Sequence, residues 1–513
     1  MRSFWLASMS LTVWLGIAFS QAAADGDLSN DRNADRDADV VRAAADLLED
    51  AVTVHRDGRH HMLLRALRHL KDPTLRPLFI ATADSPHRVT RIHGMLGLAE
   101  ISTPQQIDLD RLLAVDDETM QAEILSAALT SDLLSNEQAM VLVKSPRTHE
   151  SLKMLAACPL IRDGLLTNTV FIQKASDSDN FARANLANML LAQLGDRAAA
   201  ARLIALADST DRQRDAVREM LLTTALRYEF TRLAPWAIRV AREDQLPPRL
   251  ERLSLTAAIR FGADGSGPLL QQQFDSAGSP GRTMRYAMTA LQLSPWLQPA
   301  TFAPLQASSN DLLVLIGDTG SAIAADRPAS RDVLKLIHLT PAQTALQEWA
   351  RDYAADLADD DDARIILVEL IVSFDRRNDD DQARLLNTVV LAVQTLQNRY
   401  DDTAIESLRP LMMSPQTHPM LIRGIMLGLV KSTEGNPYRV IADAKPFDDR
   451  LSRNLALTLA ARYEPRLTPD QMDQLRLLVR GGLQEDALRI QAAWSYLRLT
   501  GQTQRVLNAV LSS

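Results

Sequence analysis

Apolar residues recur along most of the chain at intervals of three and four. After Asp39, the run Val40-Val41-Arg42-Ala43-Ala44-Ala45-Asp46-Leu47-Leu48 places apolar side chains at i, i+3/4 and i+7, with Asp39 available as the N-cap. β-Branched runs such as Thr388-Val389-Val390-Leu391-Ala392-Val393 sit inside longer helical periodicity and do not alternate. The pattern predicts an all-α chain.

A second regularity lies above the helices. Many of them open on a polar cap, an apolar residue and an arginine, with apolar residues three and six places on. Ala182-Arg183 leads to Leu186 and Met189; Met284-Arg285 leads to Met288 and Leu291; Ala363-Arg364 leads to Leu367 and Leu370. Across Arg91, Arg183, Arg218, Arg252, Arg285, Arg364, Arg423, Arg453 and Arg489 the intervals are 92, 35, 34, 33, 79, 59, 30 and 36. Several match one helix pair with its turns, which needs about 32 residues. The spacing predicts an α-α superhelix, a solenoid of stacked antiparallel helix pairs.

The segment Asp179-Asn180-Phe181-Ala182-Arg183 through Leu194-Gly195-Asp196, followed by a helix over 198–207 and then Val217-Arg218, resembles the HEAT-like repeat of the phycobilisome-lyase type. The likeness is good over residues 177–226, and periodicity extends over most of 40–513. The resemblance implies a HEAT/armadillo-like fold and an inter-repeat ladder carried here by Asp179, Arg183 and Arg218. It implies no particular function.

Between 262 and 330 the helices are interrupted by Gly262, Gly265, Gly267, Pro268, Gly278, Pro280, Gly281, Pro295, Pro299 and Pro304. This divides the chain into a repeat arm over 40–261, an irregular bend over 262–330 and a second arm over 331–513. The acidic runs Asp359–Asp362 and Asp379–Asp381 are expected at inter-helix turns, where they favour the following helix N-termini. Residues 25–39 are almost wholly polar and read as an acidic flexible leader. Before them, Met1-Arg2-Ser3, an apolar run over 4–19 and Ala22-Ala23-Ala24 have the three parts of a signal peptide, residues 1–24. The chain is therefore expected to be exported, periplasmic or secreted, with no membrane insertion after cleavage.

Composition narrows the chemistry. Cleavage after Ala24 would leave 55 basic against 64 acidic residues, a net of −9, and the arginines are dispersed among acids, so nucleic-acid binding is not expected. Cys158, the one cysteine, can form no internal disulfide and is read as core. Leu315-Ile316-Gly317-Asp318-Thr319-Gly320-Ser321 contains the D-T-G-S string of aspartic proteases, but no second such string or β-rich surrounding exists to pair the carboxylates. His55, His60 and His61 cluster without a metal-binding spacing. No catalytic, cofactor or metal residue is assigned. The expected function is binding or scaffolding in the cell envelope, with a protein partner recognised on the concave face. The alternative is an enzyme with an acid/base site on that same face.

Overall fold

The computed structural model describes residues 30–53, 59–166, 169–209, 214–340, 344–376, 379–400, 402–414, 416–431, 455, 457–458, 461–462, 466–481 and 486–512. The expected signal segment lies outside these residues. Among the described residues the chain forms 27 α-helices and no strands. Local chemistry explains many of the boundaries. Asp117, Asp196 and Asp359 each cap a helix by accepting hydrogen bonds from backbone N–H groups of its first turn. The two acidic runs open α21 (Asp360–Val372) and α22 (Asp379–Tyr400).

The even-numbered helices α2 (Arg59–Arg68), α4 (Arg88–Glu100), α6 (Glu118–Thr130), α8 (Glu150–Arg162), α10 (Phe181–Gln193), α12 (Asp215–Arg227) and α14 (Pro248–Arg260) pack each on the next, forming one continuous layer. Odd-numbered helices cover it: α3 (Arg76–Ala83) on α4, α7 (Asn136–Lys144) on α8, α9 (Val170–Ser176) on α10 and α13 (Ala234–Ala241) on α14. Later in the chain α20 (Thr344–Asp356) packs on α22, and α22 on α24 (Pro419–Lys431).

The stretch 262–330 is more regular than its glycines and prolines suggest. It holds α15 (Ser266–Asp275), α16 (Pro280–Gln292), α17 (Ala303–Gln306) and α18 (Asp311–Ala324), and packing runs through it from α14 to α15, α16, α18 and α19 (Ser330–Leu339). The punctuating residues sit at helix ends: Gly265 takes φ 82° just ahead of α15, and Pro280 opens α16. Leu270, Leu291, Phe302 and Ile316 are fully buried there and belong to the same core that runs from Val40 to Val510. Glycine and proline end helices without removing their apolar faces, so the core does not break.

The first and last described helices pack together. Helix α26 (Asp486–Leu499) packs on α1 (Asn30–Thr53) and α2, while α25 (Pro469–Arg480) and α27 (Thr503–Ser512) also pack on α1. Residues 30–39, expected to be flexible leader, are helix here. Asp37 and Asp39 find partners in this helix: Asp37 accepts from the Tyr496 hydroxyl at 2.7 Å and pairs with Arg476 at 2.7 Å, and Asp39 pairs with Arg480 at 3.2 Å. An aspartate-rich sequence joins a helix when arginines from a distant part of the chain offset its charge.

Candidate functional site

The repeat period reappears in side-chain pairs. Hydrogen-bonded partners Arg68 and Glu100 lie 32 residues apart, Arg260 and Glu229 lie 31 apart, and Ser330 and Asp362 lie 32 apart. Arg183 joins the series, pairing with Glu150 at 3.5 Å and donating to the Ser151 hydroxyl. Asp179, expected as its ladder partner, is exposed beside the capping residue Asn180. The acid that meets Arg183 comes from the preceding repeat, because Asp179 sits before the first helical turn.

Arg218 is only 1% exposed. Its guanidinium lies within hydrogen-bond distance of the carbonyls of Leu206, Ala207 and Ser209 at 2.6–2.8 Å, over the C-terminal end of α11 (Arg197–Ala207). It also holds both carboxylate oxygens of Glu243, each at 2.9 Å. The Arg91 and Arg489 side chains repeat the capping role, donating to the carbonyls of Asp84 and Ser85 and of Val479 respectively. At these three positions the arginine closes the end of the preceding helix.

The Arg218–Glu243 contact anchors the loop 242–248, in which Gln245 takes φ 59°. A cleft lies on either side of this loop. One, of about 580 Å³, is lined by Arg242, Asp244, Glu251, Gln272, Gln273 and Arg282 among others. The other, of about 700 Å³, is lined by Asp208, Ser209, Asp215, Arg218, Asp244 and Pro247 among others. Glu251 accepts from the Tyr286 hydroxyl at 2.6 Å and faces Arg282 at 3.6 Å. Amides and charges of both signs suit hydrogen bonding to an extended polar ligand such as a peptide backbone.

The remaining candidates take structural places. Cys158 is fully buried, its thiol donates to the Met154 carbonyl, and burial pushes its pKa up to about 12. Asp318 lies on α18 and accepts from the Gln306 amide at 2.9 Å. The glycine of its D-T-G-S string, Gly320, lets α18 approach Phe302, since a Cβ there would overlap the ring. His61 joins a network that the sequence does not suggest: it lies 2.8 Å from His93, which lies 3.0 Å from Arg68. Burial, then the Arg68 charge, lower the His93 pKa to about 3. His60 is buried on α2; His55 lies outside the described residues. No group of three or more His, Cys, Asp or Glu arranged to hold a metal occurs among the described residues.

Sequence reasoning missed the acids, Glu150, Glu229 and Glu243. Searching for an acid about one repeat before each arginine finds Glu150 and Glu229, but Glu243 follows Arg218 and escapes such a search. No family model, curated protein or solved structure matches the chain.

Proposed function

We propose that the protein is an exported helical-repeat binding or scaffold protein of the cell envelope, related in architecture to HEAT-like repeats, which recognises a segment of another protein. The observation that carries this reading is the continuous side-by-side packing of the even-numbered helices from α2 to α14. A stack curves toward the layer whose members sit closer together, so the even layer would form the concave face of a repeat array. Met62 on α2, Phe181 on α10 and Met220 on α12 are large apolar side chains left exposed in that layer, and the two polar clefts beside the loop 242–248 would supply hydrogen bonds to a bound chain. The apolar run and Ala22-Ala23-Ala24 at the N-terminus support export.

The test places a photo-crosslinking residue at Met220 or, as the control, at Ile80 on α3, which is also exposed. Cells expressing each variant are irradiated and the envelope fraction is examined. A discrete crosslinked protein from Met220 and not from Ile80 is expected, with the mature N-terminus at or near Asp25. Equal crosslinking from both positions, or recovery in the cytosol with Met1 intact, would contradict the reading.

A further inference from the structure

A third cavity lies away from the loop 242–248. In the turn after α16, Ser294-Pro295-Trp296 forms a short 3-10 segment that leaves the Trp296 indole 48% exposed. The ring is held in place by Arg260, whose guanidinium carbon lies 4.9 Å from its centroid and which pairs with Glu229 at 3.2 Å. Helix α20 supplies the other wall. Trp349, Asp352, Tyr353 and Asp356 occur at i, i+3, i+4 and i+7, so they share one stripe of the helix. Trp349 and Tyr353 stack with centroids 5.5 Å apart. Together with Gln292 these residues line a cavity of about 440 Å³, within the range of small-molecule sites.

The lining contains two carboxylates and neither lysine nor arginine. Asp352 is paired with Arg351. Asp356 is exposed and has no ion-pair partner among the described residues. Arg399 is engaged by the carbonyls of Ala354 and Ala355 and by Asp360. The Ser294 hydroxyl is engaged, donating to the Leu291 carbonyl at 2.8 Å. A sugar would need many donors and acceptors. Aromatic faces beside an unmatched carboxylate instead suit a positive charge carried on apolar groups.

We propose that this cavity binds a small organic cation, an alkylated ammonium whose methyl groups lie on the aromatic faces and whose charge is met by Asp356. The proposal does not depend on protein recognition at the even-helix face, and a missing crosslink from Met220 would leave it intact. The test titrates the full mature chain with choline and with its uncharged isostere 3,3-dimethylbutan-1-ol, followed by calorimetry and tryptophan fluorescence. Saturable choline binding, tighter than that of the alcohol by about tenfold, is expected from the charge contribution. Trp296→Ala should weaken choline by about tenfold and Asp356→Asn by a smaller factor. Both positions are exposed, and circular dichroism should show both variants folded. Equal binding of choline and the alcohol would identify an apolar slot and overturn the proposal, as would no saturable response to choline. Choline binding unchanged in both variants would place the site elsewhere and overturn it too.

Discussion

The seam between the chain ends and the stretch 262–330 solve opposite problems. At the seam no covalent link sets how the helices meet, and directional polar contacts are dense. Arg59 pairs with Asp486 at 2.7 Å, the Trp494 indole N–H donates to Asp72 at 2.8 Å, and the Gln491 amide donates to the Ala66 carbonyl at 3.1 Å. In 262–330 the backbone is continuous, and the close fit is apolar: Phe302 against Gly320, with Leu291, Leu305 and Ile316 buried. Connected helices need shape to pack, whereas unconnected ends also need contacts that reject other registers.

The largest effect separating the two regions is expected inside the stretch. Phe302→Ala should cost about 3–5 kcal/mol, as for a fully buried phenylalanine in any well-packed core. Urea unfolding measures it. A loss near zero would mean that the stretch is the weak joint its glycines and prolines suggest.

Acid should act on the seam side instead. His93 on α4 contacts Arg68 and His61 on α2, the helix on which α26 packs, with His60, Arg65 and Glu100 nearby. Its folded pKa of about 3 lies below the ordinary histidine value of 6.5, so the unfolded chain takes up the proton first as pH falls. The stabilisation is complete above about pH 6.5 and is lost progressively toward pH 3, by a few kcal/mol at most. Melting temperature measured between pH 7 and 5 should fall in the wild type and fall less in His93→Gln. Parallel slopes would show that His93 does not titrate with folding.

A smaller and local change is expected from Trp494→Phe, which keeps most of the buried ring and deletes the N–H that meets Asp72. The cost should be about 1–3 kcal/mol. Hydrogen exchange should rise in α1, α2, α25 and α26 while α15 to α18 stay protected. A uniform rise across both regions would show that seam and stretch open as one unit.

Helicity, helix starts and the repeat period are legible in the chain because they depend on neighbours in sequence. Asp117, Asp196 and Asp359 cap helices that begin one residue later, and Arg183 and Arg218 stand where a helix-pair period predicts. Their partners are less legible. The HEAT-like resemblance implies a ladder carried by Asp179 and Arg183, and the acid that pairs with Arg183 is Glu150. Glycines and prolines over 262–330 mark where helices end, and the buried core there is continuous with the rest.

An all-α chain of short capped helices can be read from residue order, since caps and the 3.6-residue period act over a few positions. The pairing of Asp37 with Tyr496 and Arg476, and of Trp494 with Asp72, exists only once the helices are stacked. The Asp37–Tyr496 and Asp72–Trp494 partners lie 459 and 422 residues apart. No local pattern encodes such pairings, because they form only between helices that the folded core brings together.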